Sequence, residues 1–321
     1  MQPMQNLNYL IVDGDVSGRI KCSFDESRFI AYRISKKHLS NGVDDFDIRN
    51  WTGKSGIYLL FSKGSADKPP VYIGQADQRK NGEGFKARLG EHLKDAKRGD
   101  WYEAILLTVN DDKPIPLNAL EHKFWEDADK NKRCTLSQTE PHDGKITDEM
   151  RGFFDSFVKY GEFFVGILGH KIFVPMTTTT VDRVATTSSG QAVAINRVDS
   201  EVFKYDAKKT LAYGKRTDEG FVVLKGAKIA STRKRTKDEL KEQTKRLYDK
   251  IDADRAEKAY AIDETTWTTT EDLLFASAHE AGGFVSYGLS NHINDWLIET
   301  KAGTKSLKQI QQEEAEALAE N

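Results

Sequence analysis

The chain has 321 residues, enough for two domains, with 38% apolar and 31% charged residues and a formal net charge of -2. That balance excludes a histone-like polycation and describes a soluble chain with wide solvated faces, in which any phosphate binding must come from local clusters. Two distant cysteines, Cys22 and Cys134, in no C-x-x-C arrangement, exclude a disulfide framework or a cysteine zinc site. The N-terminus has no basic region followed by an apolar run, and the longest apolar stretch, near Phe163 to Leu168, is far too short to cross a bilayer. The expectation is a cytoplasmic protein with no membrane partner.

Residues 7–12 and 28–34 are β-branched and aromatic and predict short strands of a lead-in covering 1–50. Strands follow at 56–61 (GIYLLF) and 71–74 (VYIG), joined by a polar, Pro-containing hairpin connection. Phe85, Leu89, Leu93 and Ala96 form the stripe of a helix over 84–97, and Glu103 to Val109 is a further strand. A second helix runs from Leu117 to Asp129, entered through Pro114 and Pro116, and a third covers 147–168. The Thr/Ser-rich stretch 176–200 reads as a linker, and no proline follows Pro175. Beyond it come strand-like EVFKYDA and GFVVLKGAKI, a charged helix at 236–253, a small-residue helix at 275–286 and an acidic end.

The helix 117–129 carries the first chemical signal. Leu117, Leu120, Phe124, Trp125 and Ala128 share one stripe, and Glu121 falls within it. A carboxylate there loses hydration unless a metal ion, an arginine or a salt bridge of purely structural purpose faces it. On the helix before, Arg88 and His92 are four apart and share a face.

Gly56-Ile57-Tyr58 and Tyr72-Ile73-Gly74 on successive strands, R-L-x-x-H at Arg88 to His92 and L-E-x-x-F-W at Leu120 to Trp125 follow one another in this order. The pattern, over residues 53–141, resembles the GIY-YIG nuclease domain. The resemblance implies an α+β fold, with a small three-stranded antiparallel sheet flanked by helices, in a domain spanning 51–175. It implies a divalent-metal-dependent endonuclease acting on DNA in repair, restriction or defence. Tyr58, Tyr72, Arg88, His92 and Glu121 match the family's catalytic positions. Glu121 would be the ligand of Mg²⁺ or Mn²⁺, and Arg88 would grip the phosphate with a guanidinium fork. Tyr58, its phenolate made accessible by metal and arginine, would accept a proton from the attacking water, with Tyr72 and His92 orienting or shuttling. The asparagine common after the glutamate helix is missing: the stretch reads TLSQTEP, where Gln138 or Thr139 stands in. That departure leaves an inactive nucleic-acid-binding protein of the same fold as the alternative.

Residues 79–98 hold seven Lys/Arg against three acids, and Arg79, Lys80, Lys86 and Arg98 are the candidate nucleic-acid contacts. Residues 225–250 hold ten basic against four acidic residues, either a DNA grip or a solvated face. The region 201–321 is a second α+β domain. FVVLKGAKIA and FASAHEAGGFVSYGLSNHINDWL make it similar to a domain of unknown function (DUF4357) often fused behind GIY-YIG domains. Trp267 and Trp296 are candidates for stacking on bases, with a core role the stronger reading for Trp296 beside Ile293 and Leu297.

Overall fold

A computed structural model of the chain describes residues 6–25, 27–40, 53–64, 68–78, 84–95, 100–111, 113–176, 185–186, 192–193, 201–207, 210–232, 242–288 and 292–319. The fold is α+β, and the chain divides into two compact units, Met1–Val174 and Pro175–Asn321. Among the described residues no helix is long and apolar enough to cross a membrane.

The first unit runs β1 (Leu7–Ile11), β2 (Ile20–Phe24), β3 (Phe29–Ser35), α1 (Lys36–Ser40), β4 (Gly56–Ser62), β5 (Pro70–Ala76), α2 (Phe85–Lys94), β6 (Trp101–Val109), α3 (Leu117–Asn131), β7 (Thr135–Leu136) and α4 (Asp148–Ile167). Its strands form one sheet in the order β1-β2-β3-β6-β4-β5-β7, antiparallel except for the β5–β7 pair. The small three-stranded sheet of the sequence reading therefore does not stand alone. β4, β5 and β6 are part of a seven-stranded sheet, and the lead-in strands belong to it. The cause is β3, which is buried nearly throughout and pairs with β6 from Phe29↔Val109 to Ser35↔Glu103.

Strand alternation splits the core into two layers. Ile57, Leu59, Phe61, Val71, Ile73, Ile105 and Leu107 face one side and pack with Leu120 and Phe124 of α3 and with Phe157, Phe164 and Val165 of α4. Tyr58, Leu60, Ala76, Ala104 and Leu106 face the other and pack with Phe85 and Leu89 of α2. Helices α2 and α3 thus lie on opposite faces of the same strands. Among the described residues β7 pairs with β5 only at Pro70 and Val71.

In the second unit β8 (Ala185–Thr186) pairs with β9 (Ala192–Val193), and the rest of the expected linker 176–200 lies largely outside the described residues. There follow β10 (Val202–Ala207), β11 (Thr210–Thr217), β12 (Gly220–Val223), β13 (Lys228–Ala230), α5 (Glu242–Lys258), β14 (Ala259–Ala261), β15 (Thr266–Thr269), β16 (Leu273–Phe275), α6 (Ala278–Ser286), β17 (Trp296–Thr300), β18 (Gly303–Ser306) and α7 (Leu307–Ala319). The sheet runs β14-β15-β13-β11-β10-β17-β18, with β12 and β16 branching from β11. Its core gathers Phe203, Tyr205, Phe221, Ile229, Phe284 and Trp296. Helix α6 starts at Ser277, whose hydroxyl accepts from the Glu280 amide, a side-chain cap of the usual kind.

Candidate active site

The motif tyrosine of β4 lies at the centre. Tyr58 is fully buried on the α2 face, opposite Gly74 of β5. A Cβ at Gly74 would run into the Tyr58 hydroxyl and ring, so glycine is what lets the tyrosine ring lie across the neighbouring strand. Gly56 is constrained in the same way, since a Cβ there would meet the Leu107 carbonyl and the Phe85 ring. Two of the motif glycines are therefore packing requirements of the site.

Helix α2 delivers two side chains one turn apart to the Tyr58 hydroxyl. His92, 2% exposed, places Nε2 2.7 Å from Tyr58 Oη. Arg88 Nε donates to the same oxygen at 3.2 Å, while its Nη1 donates to Glu91 Oε2 at 2.9 Å on the surface. The guanidinium thus reaches from the buried phenol to solvent. Tyr72, half-buried, stacks on Tyr58 with centroids 6.0 Å apart and meets the His92 ring edge-on at 5.2 Å. Burial pushes the Tyr58 phenol well above the usual tyrosine range, Tyr72 adds to this, and the Arg88 charge offsets only part of it. The accessible phenolate expected from the sequence therefore depends on the metal ion beside Arg88, since burial outweighs the pull of the arginine alone on this phenol.

Glu121 occupies the margin of the α3 stripe and is half-buried, whereas Leu120, Phe124 and Ala128 form the buried face. Burial raises its carboxyl pKa. A hydrogen bond from Gln75 and the Arg88 charge pull it partly back. Gln75 Nε2 donates to Glu121 Oε2 at 2.8 Å and to Asn118 Oδ1 at 2.6 Å. Among the described residues no Lys, Arg or His forms an ion pair with Glu121. The electrostatic debt of this carboxylate is met by neutral amides and a nearby arginine, not by a contacting cation.

The donor set also decides which metal would fit. Among the described residues no three His, Cys, Asp or Glu side chains converge. One carboxylate flanked by amide groups suits a cation that keeps most of its water, as Mg²⁺ does, and not one that needs a full protein cage.

Sequence reasoning singled out Tyr58, Tyr72, Arg88, His92 and Glu121. The first four converge directly, and Glu121 joins them through the Arg88 charge from the other face of β5. It missed Gln75 and Asn118. The available signals were a polar residue ending the row Val71, Ile73, Gln75, and an asparagine one turn before the glutamate. Gln138 Nε2 donates to the Ile73 carbonyl at 2.7 Å, fastening the β5 edge, while Thr139 is exposed. Of the candidate nucleic-acid contacts, Lys86 is exposed on α2, and Arg79, Lys80 and Arg98 lie outside the described residues.

In the second unit Trp296 is fully buried and donates its indole N–H to the Ala278 carbonyl at 2.9 Å, so it cannot stack on a base. Trp267 is half-buried against the same core. Residues 233–241 of the basic stretch lie outside the described residues, and α5 begins at Glu242. Its Arg255 is buried, donating to the Phe284 and Ala230 carbonyls and lying 4.1 Å from the Tyr287 ring centroid. Burial pulls its pKa down to about 10.

A family model described as a domain of unknown function (DUF4357) matches residues 203–311, all within the second unit. The C-terminal half thus carries the pattern its sequence resembled. No curated protein and no solved structure matches the chain.

Proposed function

We propose that the first unit is a GIY-YIG-type nuclease domain that hydrolyses phosphodiester bonds in DNA, with β4, β5, β6, α2 and α3 as its catalytic core. The observation that carries this reading is the Tyr58 hydroxyl, held at 2.7 Å by His92 and at 3.2 Å by Arg88, whose charge also acts on the desolvated Glu121 carboxylate. Glu121 would hold a hydrated Mg²⁺ or Mn²⁺, which when bound supplies charge relief at the scissile phosphate. Arg88, already half in solvent, turns from Glu91 to the non-bridging oxygens, where a planar fork makes two parallel hydrogen bonds. Tyr58 accepts a proton from the attacking water as its own hydroxyl proton passes to His92 Nε2. The phenol therefore works as a relay and need never exist as a free phenolate, which is how a tyrosine with an upward-shifted pKa serves at neutral pH. Tyr72 closes the site from the solvent side. The second unit, in this reading, supplies grip on the DNA.

Arg88→Lys separates the fork from mere charge. The expected outcome is plasmid nicking slowed on the order of tenfold or more with positive charge retained. A lysine variant that nicks as fast as the parent would reduce Arg88 to a general cation.

A further inference from the structure

Gln75 terminates a row of β5 whose other members, Val71 and Ile73, are fully buried on the α3 face. The strand alternation therefore directs an amide to where a core residue would otherwise continue. Asn118 and Glu121 are three apart on α3 and stack on one side of the helix. Gln75 Nε2 reaches both, spending one hydrogen on Asn118 Oδ1 at 2.6 Å and the other on Glu121 Oε2 at 2.8 Å. Two acceptors facing one nitrogen fix the amide's orientation, because the flipped amide would set its oxygen against a carboxylate. Among the described residues Glu121 Oε1 accepts no hydrogen bond.

We infer that Gln75, braced by Asn118, is a positioning residue that fixes Oε2 of Glu121 and turns Oε1 outward as the ligand of a divalent cation. The choice of residue types supports this. A lysine or arginine at position 75 would satisfy Glu121 more strongly, but it would also neutralise the charge that attracts a metal ion. A neutral amide orients the carboxylate, compensates part of its lost hydration and leaves its charge available. The asparagine that the sequence pattern lacked after the glutamate helix has, on this view, a functional counterpart placed before it. The inference rests on the proposed nuclease reading and concerns how its metal ligand is held.

The test measures Mn²⁺ binding to the full-length chain directly, by water-proton relaxation without DNA, for the parent and for Glu121→Ala, Gln75→Ala, Gln75→Lys and Asn118→Ala. Circular dichroism checks that each is folded. Gln75→Ala is expected to bind Mn²⁺ about 10- to 100-fold more weakly, the usual consequence of removing a group that orients a metal ligand. Asn118→Ala should show a smaller loss of the same kind. Gln75→Lys should lose binding as completely as Glu121→Ala, since it brings an internal cation. In nicking assays Gln75→Ala should need more Mg²⁺ for half-maximal rate yet approach the parent rate at saturation, a split that a merely structural role would not produce. Binding lost in Glu121→Ala but kept at parent affinity in Gln75→Ala and Gln75→Lys overturns this inference and leaves the nuclease reading standing. Parent affinity retained in Glu121→Ala, or a parent that binds no Mn²⁺, overturns both.

Discussion

Each unit buries a tyrosine hydrogen-bonded to a histidine, and the two pairs differ in what completes them. In the second unit His292 is fully buried, with Nδ1 2.9 Å from Asp295 Oδ2 and 3.3 Å from Tyr205 Oη. Its Nε2 lies 3.1 Å from both the Ser286 hydroxyl and the Gly288 carbonyl. The order Ser286, His292, Asp295 has the look of a hydrolytic triad. Yet Ser286 and His292 are closed off from solvent, and the Gly288 carbonyl competes with the serine for Nε2. The cluster satisfies itself and works as a polar keystone joining α6 to β10 and β17. In the first unit the Tyr58–His92 pair opens through a half-exposed guanidinium to solvent, near a carboxylate that, among the described residues, no contacting cation balances. A buried polar group becomes a candidate site when its neighbours leave a charge to be met from outside, and a structural one when they leave none.

Exchanging the chemistry at the two tyrosine–histidine pairs should break this contrast if it is wrong. Tyr58→Phe is expected to lower plasmid nicking by about 10²-fold or more, while costing only about 1 kcal/mol of stability for a lost hydroxyl. His292→Ala should do the reverse, destabilising the second unit by about 2–4 kcal/mol through a cavity and stranded partners. Melting curves and nicking rates on the same preparations read both. A Tyr58→Phe protein that melts early but cuts normally would make Tyr58 a core residue and nothing more.

A smaller effect sharpens the same point inside the first unit. Glu162 of α4 faces Asp127 of α3, which accepts from Lys123 Nζ at 2.9 Å. Burial, then the Asp127 charge, raises the Glu162 pKa to about 7. Between pH 4.5 and 7 the folded chain keeps a proton that the unfolded chain releases, so this contribution to stability is present at low pH and lost as pH rises through that window. Glu162→Gln should flatten the pH dependence of thermal unfolding by roughly 1 kcal/mol, discounted for partial exposure, and leave nicking unchanged. A steeper profile in the glutamine variant would contradict the sign.

Much of this was legible in the sequence where apolar periodicity carried it. β4, β6, α3 and α4 announce themselves by β-branched runs and helical stripes, and the four motif elements fall on the secondary structure expected of them. β2 (Ile20–Phe24) carries the apolar–polar alternation of a half-buried strand over only five residues, too short a run to stand out beside the turn-rich stretch before it. β15 (Thr266–Thr269) is made of strand-forming threonine and tryptophan, but its four residues give no run long enough to read by pattern. That the lead-in joins the same sheet was hidden for a different reason: β3 and β6 pair residues about seventy to eighty positions apart, from Ser35↔Glu103 to Phe29↔Val109, and local pattern carries no record of it. The amide pair at Glu121 was hidden likewise, since Gln75 and Asn118 are ordinary polar residues brought together across 43 positions.

In the proposed nuclease, Glu121 holds the ion on which cleavage depends. The direct measurement is the rate at which the full-length chain converts supercoiled plasmid to nicked circles in Mg²⁺, in EDTA, and with Glu121→Ala in Mg²⁺. The parent is expected to nick in Mg²⁺ alone, with the alanine variant folded and silent. Equal nicking by parent and variant, or nicking that persists in EDTA, would contradict it.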